Sequence, residues 1–193
     1  MHAGNRITHH LLRDRSNIPY AAPTPHPPEL STIAIMPPTV KMRRLSDELL
    51  GAPGRSGLPL PQYQTAGAAA FDLAAALAED EIVTVLPHQV QSIHTGFSME
   101  IPVGYEGQIR ARSGLSKNHK IIPINGPGTV DSDFSGPVQV LLYNAGLEPF
   151  AVTRGMRIAQ MVIAPAEQAI IEEAFDAPPS TLRGAGGFGS TGL

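Results

Sequence analysis

The sequence contains no cysteine, so it forms no disulfide, no thiolate metal site and no cysteine nucleophile. Charged residues are scarce, at 16% of 193 residues, against about a quarter in an average soluble domain. There is no basic surplus either: 14 Lys and Arg stand against 17 Asp and Glu, a net charge of -3. That excludes strong non-specific affinity for nucleic acid, which needs a cationic footprint. It leaves room for a small phosphate-bearing ligand held by a few placed cations. No apolar run approaches the ~20 residues of a membrane-spanning helix. No internal repeat at a period of about 20–50 residues is visible.

What is present is enough hydrophobic residue for a core (42%) and much punctuation: Gly and Pro number 19 each. Both are costly inside helices, so long helical bundles are excluded and many short strands are favoured. Candidate strands run over 81–86, 89–101, 107–112, 120–124, 137–143, 157–163 and 169–175, with turns between them. A short helix is expected at Leu45–Leu50. Strands at this spacing predict an all-β barrel or jelly roll, one domain with tails.

The ends read differently. Residues 1–35 hold Pro19, Pro23, Pro25, Pro27 and Pro28 with no sustained apolar period, and are expected to be disordered. Three readings compete: an extension upstream of a true start at Met36, a genuine flexible arm, or an organelle transit peptide carrying Arg6, Arg13 and Arg15. Residues 36–178 form the β domain. Residues 179–193 form a C-terminal arm ending RGAGGFGSTGL, too rich in Gly to bury a core.

Several segments carry side chains suited to chemistry. In the tail, Arg183 can fork onto a phosphate, Ser190 and Thr191 offer hydroxyls, and Gly189 lets backbone approach phosphate oxygens. Phe188 offers a flat face to a base. Arg112-Ser-Gly-Leu115 ends a strand where a helical turn can begin, with Ser113 as N-cap beside anion-attracting N–H groups. Asn125–Gly136 is a turn-rich hairpin with two carboxylates, Asp131 and Asp133, that share a face if the chain is extended. Arg157 and Gln160 share a strand, and Asp72 sits among small and apolar residues. Singly, each is also readable as a solvated linker, an ordinary cap, an Asx-rich loop or a surface residue.

Together and in this order, these segments resemble the motifs of the trimeric dUTPase family (deoxyuridine triphosphate nucleotidohydrolases). The resemblance spans about residues 39–193 and rests on ARSGLS, GTVDSDF, RIAQM and RGAGGFGSTG. It implies a distorted jelly-roll subunit in a homotrimer, with active sites at subunit interfaces. It implies hydrolysis of dUTP to dUMP and pyrophosphate, which limits uracil in DNA and supplies dUMP for thymidylate synthesis. Mg²⁺ would be the cofactor, and dUTP and the chain itself the partners, with neither nucleic acid nor membrane bound. The location implied is cytoplasmic, with organellar targeting by residues 1–35 left open.

Residue by residue, the resemblance implies that Asn125, Gly128, Thr129 and Val130 hold uracil through backbone groups, joined by the main chain of Gln139. Asp131 matches the catalytic aspartate that deprotonates water for attack on the α-phosphorus. Phe134 lies under the deoxyribose. Arg112, Ser113, Gly114 and Gln160 match phosphate-contacting positions, and Arg183, Phe188, Gly189, Ser190 and Thr191 match the closing arm. Asp72 matches an outer-shell partner of hydrated Mg²⁺, with the metal otherwise held by substrate phosphates.

Two departures stand out. Phe134 replaces a Tyr common in relatives; its ring still crowds a 2′-hydroxyl but forfeits a phenolic hydrogen bond. Met156 replaces an acid, which leaves Arg157 without an evident ion partner. Two alternatives compete with this reading. A dCTP deaminase of the same superfamily would carry a glutamate near Leu141, and none is present in 137–143. A non-catalytic dUTP-binding regulatory protein would have no need of Asp131.

Overall fold

A computed structural model describes residues 37–177 and 179–187. The segment 1–35, and Phe188, Gly189, Ser190 and Thr191 of the expected arm, lie outside the described residues. In chain order the elements are β1 (Lys41–Arg44), β2 (Phe71–Ala74), β3 (Ile82–Val85), β4 (Val90–His94), β5 (Phe97–Glu100) and β6 (Tyr105–Arg110). There follow α1 (Ser113–His119), β7 (Ile121–Pro123), β8 (Gly128–Val130), β9 (Gln139–Asn144), β10 (Phe150–Thr153) and β11 (Arg157–Pro165). The strands pair antiparallel into a four-stranded sheet β2-β11-β6-β8, a three-stranded sheet β4-β9-β7, and two ribbons, β1-β5 and β3-β10. This is the all-β, jelly-roll-like architecture that the turn spacing predicts.

Period-two alternation does most of the placing. In β9, Val140, Leu142 and Asn144 point inward while Gln139 and Leu141 face out. In β2, Phe71 and Leu73 are buried and Asp72 is not. In β8, Gly128 and Val130 are buried and Thr129 is exposed. The inward residues meet in one main cluster that includes Leu73, Ile93, Met99, Val140, Leu142, Ile158 and Met161. Each fully buried Val, Leu or Ile there stabilises the fold by about 1.5–3 kcal/mol. Gly107, on β6, lies where a Cβ would stand 2.9 Å from Ile101 Cδ1 and 3.1 Å from the Met161 sulfur. Any side chain there would overpack the core.

The segment 89–101, expected as one strand, is two. At Thr95-Gly96 the chain leaves the three-stranded sheet and joins the β1-β5 ribbon, with Gly96 at φ +84°. Thr95 secures this corner: its backbone N–H and its Oγ1 both donate to the Val138 carbonyl, at 3.1 and 2.9 Å.

Three expectations are corrected. Leu45–Leu50 forms turns rather than a helix, because the Asp47 carboxylate accepts from the backbone N–H groups of Gly54 and Ser56 at 2.8 and 2.7 Å. Leu45 and Leu50 are nonetheless buried, in a second cluster with Leu58, Ala76 and Phe97. Residues 169–175 form no strand; Ile170, Ile171 and Phe175 are exposed. Apolar content alone does not make a strand; among the described residues this segment pairs with none of the sheet edges. Ser113 is the first residue of α1, and the N-cap is Arg112, extended at φ −86°, ψ 128° with no side-chain cap bond. The helix stops at Lys120, in the left-handed region at φ 60°.

Candidate active site

Two sets of the expected residues converge at separate places, and the register of the four-stranded sheet decides which residues go where. The first set surrounds the β8 hairpin. A cavity of about 320 Å³ is walled by Asn125, Gly128, Thr129, Asp131, Phe134 and Gln139, with Ser92 and Leu141. Thr129 and Asp131 are both exposed, one residue apart, with Val130 buried between them. Asp131 also lines a second cavity of about 540 Å³ with Tyr105, Glu106, Asp133 and Gln168. It therefore stands on the wall between the two spaces.

The hairpin's glycines answer to local crowding. A Cβ on Gly128 would lie 2.8 Å from Asn125 Nδ2, and one on Gly126 3.1 Å from the Pro123 carbonyl oxygen. Beyond β8 a turn spans Ser132-Asp133, closed by the Phe134 N–H donating to the Asp131 carbonyl at 3.2 Å. The chain is therefore not extended from Asp131 to Asp133 as expected, although both residues line the second cavity. Along β8, the neighbour on the face of Asp131 is Thr129. The Phe134 ring folds back over Gly136, where a Cβ would sit 2.8 Å from Phe134 Cζ. A small residue at 136 is thus what lets the ring reach the cavity wall.

β8 is the edge strand of its sheet, hydrogen-bonded to β6 along one side. Its other edge is unpaired among the described residues, which leaves main-chain N–H and C=O groups able to pair with a ligand. On the facing wall, the Ser92 hydroxyl donates to the side-chain oxygen of Gln139. His94, opposite Gln139 in the β4–β9 register, has a buried Nδ1 with no partner among the described residues. Burial first, and the charge of Arg55 second, hold its pKa below the ordinary histidine value.

The second set gathers where β2, β11 and the end of β6 meet. Asp72 accepts from Arg112 Nε at 2.8 Å and from Arg157 Nη1 at 2.9 Å. Arg112 Nη1 also donates to the Arg157 carbonyl at 2.9 Å. Gln160, in register with Asp72 on one side and Arg110 on the other, donates from Nε2 to the Ala111 carbonyl at 2.8 Å. Arg157 therefore has an ion partner, contrary to the expectation drawn from Met156: the partner comes from β2, not from the adjacent residue. Ser113 and Gly114 follow directly, in the first turn of α1.

The two sets are well separated within one chain. Val130 pairs with Gly107, so Asp131 lies beside Glu106, while Arg112 is six residues further along. At roughly 3.3 Å per residue, this puts about 20 Å between Asp131 and Arg112. Arg183 joins neither set; its Nε donates to the Gly186 carbonyl at 2.8 Å in a local turn.

Sequence reasoning placed the hairpin residues together and missed three features: Leu141 and Ser92 as cavity walls, the pairing of Arg157 with Asp72, and the unpartnered His94 nitrogen. Alternation along β9 could have pointed to Leu141. The other two depend on pairing between strands far apart in sequence.

No group of three or more His, Asp or Glu among the described residues is arranged to hold a metal. Both Asp72 oxygens are taken by guanidinium groups.

Comparison with known proteins gives a consistent picture. The dUTPase family model matches residues 57–192. A deoxyuridine 5′-triphosphate nucleotidohydrolase of Rhizobium meliloti (strain 1021) is 59% identical over 144 residues, covering 75% of this chain and 89% of that protein. One of the same name from Mesorhizobium japonicum is 50% identical over 163 residues, covering 84% and 96%. Among solved structures, the Staphylococcus bacteriophage 80alpha dUTPase with dUPNHPP aligns at TM-score 0.67 and 22% identity, over 80% of this chain and 99% of that one. A mutant dUTPase from phage phi11 of S. aureus aligns at TM-score 0.60 and 20% identity, over 72% and 97%; that work concerns the coordination of a structural Mg(II) ion.

Proposed function

The chain belongs to the dUTPase family, and on that premise we propose that it hydrolyses dUTP to dUMP and pyrophosphate. The observation that carries this reading is the exposed Asp131 carboxylate at the wall of a nucleoside-sized cavity, at the end of an unpaired strand edge.

The chemistry follows from the parts. Free main-chain groups on the outer edge of Gly128–Val130 imitate a pairing partner for uracil. On this reading the hairpin around Asn125 and Gly128 presses close to the uracil ring and excludes a 5-methyl group. An adaptable pocket would discriminate by only about 1–3 kcal/mol per methyl, so this closeness matters for rejecting dTTP. The Phe134 ring packs beneath deoxyribose and crowds a 2′-hydroxyl. Asp131 accepts a proton from a water molecule as its oxygen bonds to the α-phosphorus. The bond from that phosphorus to the bridging oxygen breaks, and pyrophosphate leaves with the electron pair. Bound with the triphosphate, Mg²⁺ would offset its negative charge. Leu141 puts an apolar side chain in the cavity wall near the place where a deaminase would need its glutamate.

The distance between Asp131 and Arg112 supports a composite site. No short triphosphate touches both near its α-phosphorus within one chain, so the phosphate-binding residues come from another copy. A homotrimer, in which Arg183, Phe188, Gly189, Ser190 and Thr191 close over the nucleotide, completes the reading. Residues 1–35 take no part in it.

The test is pyrophosphate release from dUTP, dCTP, dTTP and UTP in parallel, with and without Mg²⁺, for the wild type and Asp131→Asn. Magnesium-dependent release from dUTP alone is expected, lost in the variant with nucleotide affinity kept. Ammonia release from dCTP, or hydrolysis that survives in Asp131→Asn, would overturn it.

A further inference from the structure

The cavity around the β8 hairpin has two unlike walls. One is the main-chain edge of Gly128–Val130, and the other is the outer face of β4 and β9, which contributes Ser92, Gln139 and Leu141. In the β4–β9 register Ser92 stands opposite Leu141, and Gln139 opposite His94. Gln139 is therefore the diagonal neighbour of Ser92, about 7–8 Å away between Cα atoms. Its side chain nevertheless leans along β9 to Ser92, whose hydroxyl donates to Oε1.

That bond fixes which way the amide points. A glutamine amide has an acceptor end and a donor end of nearly the same shape. With Oε1 engaged by the hydroxyl, the NH2 group is the end left for a ligand; it makes no hydrogen bond among the described residues. The direction of the lean matters too. β9 begins at Gln139, just after the bend at Gly136 against which the Phe134 ring packs. Leu141, and Ser92 opposite it, lie two residues further from that bend, about 7 Å along the strand. The amide head is thus carried away from the sugar end of the cavity. In a pyrimidine nucleotide the ring position farthest from the sugar is C4, across the ring from N1. Uracil carries an oxygen there, which accepts; cytosine carries an amino group, which donates. At O2 the two bases are alike.

We propose that Ser92 and Gln139 form a polarity filter for the base: Ser92 orients Gln139 so that its side-chain NH2 donates to O4 of uracil and opposes the 4-amino group of cytosine. The proposal rests on the dUTP reading. It adds a side-chain determinant of uracil over cytosine, separate from the main-chain edge and from the Phe134 sugar wall. Ser92 is a positioning residue, acting through Gln139. Both residues are exposed, where water competes for their bond. A base that fills the cavity excludes that water, and a donor set against a donor is then left unpaired at full cost.

The experiment compares wild type, Ser92→Ala, Ser92→Thr, Gln139→Glu and Gln139→Leu. It measures affinity for the non-hydrolysable imido analogues of dUTP and dCTP, which needs no turnover, and kcat/KM for pyrophosphate release from dUTP. The quantity that decides is the ratio of the two affinities. Ser92→Ala frees the amide to turn over, so the ratio should fall about tenfold, the scale of one oriented hydrogen bond. Ser92→Thr keeps the hydroxyl and should hold the ratio within about twofold of wild type. Gln139→Glu presents only acceptors at neutral pH and should lower the ratio furthest, about a hundredfold, with the dCTP analogue bound more tightly than by wild type. Gln139→Leu removes the donor and should lower the ratio about tenfold through weaker dUTP binding. Equal weakening of both analogues, together with a lower thermal midpoint, would mark the pair as merely structural and overturn the proposal. So would an unchanged ratio in Gln139→Glu, which would leave the main-chain edge to read C4 alone. Gln139→Leu, at an exposed strand position, keeps the test decisive if the glutamate variant does not fold. A wild type unable to hydrolyse dUTP would remove the underlying function; an active wild type whose variants keep its ratio would remove this proposal alone.

Discussion

Replacing Gly136 by Ala tests the sugar wall without touching a residue that binds substrate. The added Cβ would stand 2.8 Å from Phe134 Cζ and 3.0 Å from Cε2, where ordinary contact begins at 3.4 Å. Phe134 is 44% exposed, so its ring has room to retreat and the fold should tolerate the change. The midpoint of thermal unfolding should move by only a few degrees, the scale of a ~1 kcal/mol perturbation. The ring, however, is displaced by more than half an ångström from the cavity wall, away from where deoxyribose packs. Misplacement on the scale of 1 Å can cost about a hundredfold in rate, so kcat/KM for dUTP should fall roughly 10- to 100-fold. Discrimination against UTP should fall with it, because the same ring crowds the 2′-hydroxyl. The assay is steady-state pyrophosphate release with dUTP and UTP, alongside thermal unfolding. A Gly136→Ala protein with unchanged kcat/KM and an unchanged dUTP-to-UTP ratio would refute the assignment of Phe134 as the sugar wall.

Asn144→Leu should destabilise strongly: Asn144 is fully buried, its Nδ2 donates to the Val85 and Glu148 carbonyls, and its Oδ1 accepts from the Gly146 N–H. Stranding such buried groups costs about 1–3 kcal/mol each, readable as a lower midpoint in urea at constant m-value. Asp47 should shape the acid limb of stability. Hydrogen bonds from the Ser56 side chain and from the backbone of Gly54 and Ser56 hold its pKa at about 2 against an ordinary 3.8. Its contribution is therefore full above the ordinary value and lost as pH falls through about 2. Asp47→Asn should flatten that part of the profile, and an unaltered acid limb would contradict the reading. Burial, and then the charge of Arg55, lower the His94 pKa in the folded chain, so protonation below the ordinary histidine pKa favours the unfolded chain, and stability should decline as pH falls below about 6.5. His94→Leu should remove that decline. Deleting residues 183–193 should abolish most turnover while far-ultraviolet circular dichroism stays unchanged. An active truncated protein would deny the arm a role.

Much of this protein was legible in its sequence because the relevant patterns are local. Alternation along 137–143 and 157–163 needs no knowledge of partners, since a strand's two faces are set by its own backbone. The hairpin was legible for the same reason: Asn125, Gly128, Thr129 and Asp131 lie within seven residues, and a turn brings them together whatever the rest of the chain does. The misreadings have equally physical causes. Leu45–Leu50 has helix-compatible spacing, but the Asp47 carboxylate draws the backbone at Gly54 and Ser56 onto itself. Residues 169–175 are apolar enough for a strand, but a strand also needs an edge to pair with, and that is not a property of the segment.

The sequence by itself determined the class of fold and the family, and singled out Asp131 as the candidate reacting carboxylate. The fold class follows from turn residues at short intervals; the family, and with it the role expected of Asp131, follows from the resemblance carried by short local motifs. Only the tertiary structure decided which distant residues meet. Asp72 with Arg112 and Arg157, and Gln160 with Ala111, are set by the strand order β2-β11-β6-β8. Register also put Asp131 and Arg112 toward opposite ends of β6. The scarcity of charge then has a structural counterpart. Several of the few arginines are each spent on a specific partner, because in a poorly charged chain electrostatics must come from placement rather than from a field.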